Sequence, residues 1–167
     1  MKLDLSQIIE MPGKSISFLT DLDVERLSAP SIKSFTAPPH AEGRVSNTAG
    51  VLTLTGTIHA DMVCICDRCG KEFFLRKELP VEAKIAADES DEADPDVFPL
   101  EGDTLDVSDV LETLFILETE SKFLCRADCK GLCPSCGKDL NDGPCGCKKE
   151  VDPRLAALSQ LLDNKDK

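Results

Sequence analysis

The first half of the chain alternates apolar and polar residues in the way that is typical of β-strands. The strongest case is 51–58, where β-branched and apolar residues alternate in part. The turn sequence Asn-Thr-Ala-Gly at 47–50 precedes it, which predicts a hairpin with residues 41–46. Residues 72–86 are a further strand candidate, broken or placed at a sheet edge by Pro80. We therefore expect an antiparallel β meander that curls into a half-barrel.

Helical spacing of apolar residues occurs in two later segments. In the first, Asp106 is suited to cap a helix that runs to residue 117. Its apolar positions are Val107, Val110, Leu111, Leu114 and Leu117. In the second, Asp152 precedes Pro153, which is favoured in the first helical turn. Its apolar stripe is Leu155, Leu158, Leu161 and Leu162. We expect the first helix to cover the open face of the sheet and the second to end the chain.

The negative charge of the chain lies in one segment. The 167 residues carry a formal net charge of −12. Residues 78–120 hold fifteen acids and one base, so this segment alone carries −14. Within it, 88–103 is acidic and has little to bury, which predicts a solvated loop, with a docking tail for a basic partner as the alternative. We place the β-rich core domain at 1–120 and a Cys-rich lobe at 121–167.

The composition of the chain argues against a membrane or exported protein. No run approaches the roughly 20 apolar residues that a membrane helix needs, so no membrane partner is expected. Asp4 and Glu10 interrupt the first ten residues, which argues against a signal or transit peptide. We expect a cytoplasmic protein. Because the chain is acidic, it would not attract nucleic acid over a long range, and any such contact must be local or pass through a protein partner.

Nine cysteines fall in short clusters, and in a reducing compartment this favours metal binding over disulfides. Two stretches, 66–70 and 133–137, share the form Cys-x-x-Cys-Gly. Two cysteines three positions apart in a tight turn can direct both sulfurs at one ion, and the glycine tolerates a left-handed backbone. Each of these stretches supplies half of a tetrahedral zinc site and needs a partner pair.

The partner pairs follow from position along the chain. The second stretch has two cysteines close by, after the turn sequence Asn-Asp-Gly-Pro at 141–144. The first stretch is left with a Cys-x-x-x-Cys pair that follows after 55 intervening residues. The predicted ligands are Cys66, Cys69, Cys125 and Cys129 in one structural Zn²⁺ site, and Cys133, Cys136, Cys145 and Cys147 in the other. Cys64 is left over, as a core thiol or as a competitor for a ligand position.

These elements together predict an α+β fold. It consists of an antiparallel β meander or half-barrel with a covering helix, and a zinc-ribbon-like Cys lobe that ends in a short helix. Catalytic zinc keeps an open position, usually with His or carboxylate ligands, whereas sets of four cysteines are typical of structural sites. The chain has two histidines, His40 and His59, and neither lies near a Cys-x-x-Cys stretch. It also has no phosphate-binding glycine loop and no Gly-x-Ser-x-Gly sequence. We expect no enzymatic activity and no small-molecule substrate.

Several of these sequences are shared with a known family. They are Cys-Asp-Arg-Cys-Gly-Lys-Glu-Phe at 66–73, the helix at 105–117, the Cys-rich run at 124–137 and Asp-Pro-Arg-Leu-Ala-Ala-Leu at 152–158. The chain resembles the longer, Cys-rich branch of the YceD family, which is named for large ribosomal RNA subunit accumulation. One departure is Ile-Leu-Glu-Thr-Glu at 116–120, where many relatives have Leu-Ala-Leu-Pro. The resemblance implies a role in ribosome assembly and 23S rRNA accumulation, and it supplies no mechanism.

Ten basic residues lie on or near the cysteine stretches, and two interpretations of them stay open. If zinc brings them together, they form a basic face for rRNA phosphates, while 88–103 engages a basic ribosomal protein. Alternatively, they only offset the charge of the thiolates and solvate the lobe. The ten are Arg68, Lys71, Arg76, Lys77, Arg126, Lys130, Lys138, Lys148, Lys149 and Arg154.

Three functional hypotheses follow. The leading one is a non-enzymatic zinc-binding factor that supports ribosome biogenesis, with a ribosomal protein or pre-ribosomal particle as partner and rRNA as a further candidate. The second is a zinc-thiolate redox sensor or redox-controlled chaperone. The third is a zinc-ribbon transcription accessory that binds RNA polymerase.

Overall fold

An antiparallel sheet built on one long strand organises the chain. The computed structural model describes residues 1–86 and 97–147. Its strands are β1 (Lys2–Asp4), β2 (Ser15–Asp21), β3 (Ile32–Phe35), β4 (His40–Thr48), β5 (Val51–Ile65), β6 (Glu72–Ile85), β7 (Val97–Phe98) and β8 (Thr104–Asp106). Its helices are α1 (Ser6–Ile9), α2 (Val107–Glu118) and a short 3₁₀ turn (Leu140–Asp142). The main sheet has the order β2-β4-β5-β6-β7, and β3 pairs with the far end of β5.

The predicted hairpin and the following strand are confirmed. Thr48 pairs with Val51, so Ala49 and Gly50 form a two-residue turn, with φ angles of 55° and 92°. Strand β6 runs through Pro80 without a break. Pro80 pairs with β5 on one side, and on the other side β7 meets β6 only at its last two residues. Among the described residues no strand pairs with β6 on the other side of Pro80, so Pro80 lies at a sheet edge, as the sequence predicted.

The sheet curls into a half-barrel whose inner face forms the core. Along β5 the inward residues are apolar and fully covered; they are Leu52, Leu54, Ile58, Ala60, Met62 and Cys64. Helix α2 packs into the same core, and the ring of Phe115 lies 6.4 Å from that of Phe35 in β3. The capping role of Asp106 is confirmed, since its side chain accepts a hydrogen bond from the N–H of Asp109. Leu117, expected on the buried stripe, is 70% exposed in the last turn of the helix.

The N-terminal segment contains structure that its sequence pattern does not announce. Strand β1 pairs with β8 in a separate two-stranded sheet, and α1 follows it. The buried side chain of Asn47 donates hydrogen bonds to the carbonyls of Ile8 and Ile9, at 2.8 and 2.7 Å. The same side chain accepts one from the N–H of Gly50. Asn47 therefore fastens α1 to the hairpin of β4 and β5.

The expectation of a loop over 88–103 is wrong at residues 97–98. Residues 97–98 form β7, which pairs in parallel with the end of β6, and Glu101 bridges to Thr104 in a turn. The apolar pair Val97 and Phe98 explains this, because it can cover the open edge of the sheet. The acidic residues 88–96 and the helix predicted from Asp152 lie outside the described residues. The division of the chain at residue 120 stays a prediction.

Candidate metal centres

Two tight turns with the same backbone geometry hold the first pair of cysteines in each predicted site. In the first, the N–H of Cys66 donates to the carbonyl of Lys71, and the N–H of Gly70 donates to that of Cys66. In the second, Cys133, Gly137 and Lys138 make the equivalent bonds at 2.8 and 2.9 Å. Gly70 and Gly137 have φ angles of 70° and 72°, the left-handed conformation expected from the sequence.

The structure brings together the cysteines that the sequence grouped. The ligand atoms within each set lie no more than 4.8 Å apart. We call Cys66, Cys69, Cys125 and Cys129 the first cluster, and Cys133, Cys136, Cys145 and Cys147 the second cluster. They are the two such groups of potential metal ligands in the described part of the chain. All eight are free thiols.

The spacing of the sulfurs in the first cluster fits a tetrahedral ion. The Sγ atoms of Cys66 and Cys129 are 3.8 Å apart, and those of Cys69 and Cys125 are 3.7 Å apart. Four sulfurs at about 2.3 Å from zinc are separated by about 3.8 Å along each tetrahedral edge. A disulfide would need about 2.05 Å instead. The residues therefore suit a closed, four-thiolate metal site.

The electrostatics of the first cluster also favour a cation. Burial opposes ionisation of Cys66, but backbone hydrogen bonds from Cys125, Arg68 and Cys69 outweigh it and lower the pKa of this thiol to about 6. Burial and then the neighbouring sulfurs raise the pKa of Cys125 to about 12. One thiolate forms readily, while burial and then the neighbouring sulfurs oppose ionisation of the last. A divalent cation would relieve that repulsion.

The second cluster has the same electrostatic pattern in a more open position. Backbone hydrogen bonds from Cys136 and Ser135 lower the pKa of Cys133 to about 6. A hydrogen bond with Cys136, followed by burial, raises the pKa of Cys147 to about 12. Cys136 and Cys147 are exposed, whereas three of the four cysteines of the first cluster are buried. The second cluster is therefore the more accessible to solvent.

Cys64 belongs to neither cluster. Its side chain is fully buried in the main core, and burial raises the pKa of this thiol. It lies two positions before Cys66, on the inward face of β5. Of the two roles left open by the sequence, the structure shows the core thiol.

Two polar residues that sequence reasoning passed over hold the first cluster in place. Asp67 accepts hydrogen bonds from the hydroxyl of Ser31 and the N–H of Phe123, both at 2.5 Å, and so joins the first turn to two distant segments. Asn141 donates from Nδ2 to Sγ of Cys129 at 3.5 Å. Asp67 could have been noticed from the sequence, because it lies inside the Cys-x-x-Cys stretch. Asn141 stands in a sequence that indicated only a turn.

The basic residues occupy several places rather than one. Lys71 pairs with Asp139 at 2.7 Å, Arg76 pairs with Asp61 at 2.8 Å, and Lys77 pairs with Glu120. Arg76 and Lys77 line a cavity of about 270 Å³ together with His40 and His59. A lysine or arginine that is paired with a carboxylate attracts a phosphate less strongly, because the carboxylate offsets its positive charge.

Other basic residues lie around the cysteine clusters. Arg68 and Lys130 line an open groove of about 810 Å³ beside Cys129, and Arg68 donates to the carbonyl of that cysteine at 2.8 Å. Arg126 donates to Asn141, and Lys138 donates to the carbonyl of Pro144. The remaining three of the ten, Lys148, Lys149 and Arg154, lie outside the described residues.

Comparison with known proteins places these cysteines in a family setting. The sequence model described as "Large ribosomal RNA subunit accumulation protein YceD" matches residues 54–162, a range that includes both clusters. The chain is also similar to "Large ribosomal RNA subunit accumulation protein YCED homolog 1, chloroplastic" of Arabidopsis thaliana, at 34% identity over 67 residues. That match covers 40% of this chain and 21% of the plant protein.

Bacterial relatives match over longer stretches. An uncharacterized protein of Mycobacterium tuberculosis is 33% identical over 124 residues, covering 71% of this chain. The match spans 59% of the length of that mycobacterial protein. The uncharacterized protein YlbN of Bacillus subtilis is 28% identical over 171 residues, covering 99% of both chains. No solved structure matches the chain. No helix within 1–86 or 97–147 is long and apolar enough to cross a membrane.

Proposed function

Because the chain belongs to the YceD family of large ribosomal RNA subunit accumulation proteins, we propose that it is a non-enzymatic zinc-binding factor that supports ribosome biogenesis. The specific role proposed is to sustain the accumulation of 23S rRNA in the large ribosomal subunit. The observation that carries the proposal is the family match over 54–162, since it contains all eight clustered cysteines.

The chemistry of the clusters supports a structural rather than a catalytic metal. Zinc bound by four thiolates has no open position for water or substrate. The first cluster joins the turn between β5 and β6 to residues 125–129, so an ion there would tie the sheet to the C-terminal lobe. Zinc bound in the first cluster would therefore contribute directly to the folding of that lobe.

The proposed partner is a ribosomal protein or a pre-ribosomal particle in the cytoplasm, with rRNA as a second candidate. A local phosphate contact is supported best at the groove that Arg68 and Lys130 line. The ion pairs of Lys71, Arg76 and Lys77 favour the interpretation that these three side chains serve the fold. RNA contact would then be local, as the acidic charge of the chain also requires.

Depletion of the protein in its host tests the proposal. Ribosomal particles are separated on sucrose gradients, and 23S rRNA is quantified against the small-subunit rRNA in the same cells. We expect 23S rRNA and large subunits to fall, and the wild-type gene to restore both. A chain with Cys66→Ser and Cys69→Ser should restore neither, whereas Cys64→Ser should. Unchanged 23S rRNA after depletion would contradict the proposed role.

The exposure of Cys136 and Cys147 favours a second candidate, a zinc-thiolate redox sensor. It predicts that mild peroxide releases zinc, forms disulfides in the second cluster and switches on a binding activity towards unfolded protein. The structural proposal predicts that zinc is retained, or is lost without any new activity. Zinc content, free-thiol content and suppression of aggregation, measured on the same oxidised sample, separate the two.

A further inference from the structure

The loop of one cluster supplies a hydrogen bond to a ligand of the other. Asn141 lies in the 3₁₀ turn Leu140–Asp142, between the two cysteine pairs of the second cluster. Its Nδ2 nevertheless donates to Sγ of Cys129, a member of the first cluster, at 3.5 Å. Its Oδ1 accepts from the N–H of Lys130 at 2.8 Å and from the guanidinium of Arg126 at 2.7 Å. One amide therefore contacts a first-cluster sulfur and the backbone beside it.

The amide of Asn141 is held in this position from behind. Oδ1 of Asp139 accepts from both the backbone N–H and Nδ2 of Asn141, at 2.8 and 2.7 Å. The other carboxylate oxygen of Asp139 lies 2.7 Å from Nζ of Lys71, directly after the first cysteine turn. The N–H of Leu140 donates to the carbonyl of Gly131 at 2.9 Å. The loop is thus fastened beside the first cluster at two further points, Lys71 and Gly131.

This arrangement suits a neutral donor near a crowded set of thiolates. Four thiolates and one divalent ion carry a charge of −2, and an N–H bond to sulfur spreads part of it onto the protein. An amide can donate to sulfur and accept from the N–H of Lys130 at once. An aspartate at this position could only accept from Lys130, and a leucine could neither donate nor accept.

We propose that Asn141 is a positioning residue that couples the two clusters, so that metal in the second cluster strengthens metal retention in the first. The inference rests on the metal binding proposed above. An ion held by Cys133, Cys136, Cys145 and Cys147 fixes both ends of the loop that carries Asn141. Without it, the loop keeps its contacts with Lys71 and Gly131 but loses the anchors at its cysteines, and the amide is presented to Cys129 less firmly. By linkage, metal in the first cluster strengthens retention in the second by the same factor.

Chelator competition on the full chain loaded with ¹¹³Cd²⁺ tests the coupling. The two sites are assigned by their ¹¹³Cd resonances in ligand variants, and retention at each is measured separately by NMR. We expect Asn141→Leu to weaken retention in the first cluster by roughly 10- to 100-fold, the usual effect of removing an outer hydrogen bond to a ligand. Asp142→Asn, a change at the neighbouring exposed position, is the control: it loses only an exposed 3.6 Å contact with Lys71 and should have little effect.

A cycle of variants separates coupling from local damage. Cys133→Ser with Cys136→Ser should also weaken the first cluster, although it changes none of its ligands. Adding Asn141→Leu to that chain should weaken it little further, because the loop has already lost its anchors. Effects that multiply, or a first cluster unchanged in either variant, would overturn the coupling. Circular dichroism of the sheet confirms that each variant is folded. A wild-type chain that binds no cadmium or zinc would overturn the proposed metal binding itself, and the coupling with it.

Discussion

Gly131 is the residue at which three parts of the metal-binding region meet. Its φ angle is 75°, and a Cβ added there would lie 2.8 Å from the carbonyl oxygen of Arg68. The same carbonyl accepts the N–H of Leu132, and the carbonyl of Gly131 accepts the N–H of Leu140. At Gly137, by contrast, φ is also positive but a Cβ would meet nothing within 4 Å. A side chain at Gly137 would therefore cause backbone strain alone, whereas one at Gly131 would cause backbone strain and a steric clash.

Alanine substitutions at these two glycines make that separation measurable. Gly137→Ala should cost about 1–2 kcal/mol of unfolding free energy, from the left-handed backbone alone. Gly131→Ala should cost about 1–3 kcal/mol more, because a methyl group must displace the first cysteine turn. Urea unfolding of the zinc-loaded chains gives both values. Equal losses would show that the contact with Arg68 has no energetic weight.

At the scale of elements, local turn chemistry was predictable, whereas the pairing of short strands that lie far apart in the sequence was not. Ala-Gly at 49–50 marked the hairpin of β4 and β5, and Asp106 marked the start of α2. Strand β1 is three residues long and pairs with residues 100 to 104 positions away, so no periodicity could reveal it. The strand β7 was missed for a related reason, since two apolar residues inside an acidic stretch gave too short a pattern.

The second cluster was predictable because its four cysteines lie within fifteen residues of one another. The first cluster was predicted by matching the pairs that remained, across 55 residues, and the structure brings its sulfurs together. The residues that hydrogen-bond to the cysteines could not be predicted from the sequence. From the sequence, Asn141 indicates only a turn, and its contact with Cys129 is visible only in the structure.

Asn47 carries the junction between α1 and the main hairpin, and its loss should be costly. Asn47→Asp would place a carboxylate against the carbonyls of Ile8 and Ile9, with two donated hydrogen bonds gone. We expect about 2–5 kcal/mol of destabilisation at neutral pH. Thr48→Asp, at the exposed neighbouring position, should cost far less.

The pH dependence of Asn47→Asp provides the check. A buried carboxyl that faces carbonyls binds its proton more tightly folded than unfolded, so its folded pKa lies above the unfolded value near 3.9. The destabilisation is therefore full above the folded pKa and declines as the pH falls through it. Urea midpoints for the variant and the wild type, measured from neutral to acidic pH, should converge. A constant gap would rule out a buried carboxylate at this position.

At the scale of the whole molecule, the first cluster joins the sheet to the described part of the C-terminal lobe, and within 1–86 and 97–147 few other contacts do so. Phe123 lies in the main core, and beyond it the described lobe is fastened through Asp67, Arg68, Lys71 and the first cluster. Strands β4 and β5 are paired along nine consecutive positions, and none of these residues belongs to either cluster. Metal should therefore control the lobe far more than the sheet.

Hydrogen exchange with and without a zinc chelator tests this division. With zinc bound, amides of 125–140 should be protected together with the sheet. Chelation should release the amides of 125–140 while β4 and β5 keep their protection. Loss of protection throughout the chain would show that the sheet depends on metal as well.

The metal content of three single variants tests the central claim most directly. Zinc bound per chain is measured after purification for the wild type, Cys64→Ser, Cys66→Ser and Cys133→Ser. Two four-thiolate sites predict two ions in the wild type and in Cys64→Ser, because Cys64 belongs to the core. They predict one ion in Cys66→Ser and one in Cys133→Ser. A single ion in the wild type, lost only in Cys133→Ser, would contradict an ion that joins the sheet to the lobe.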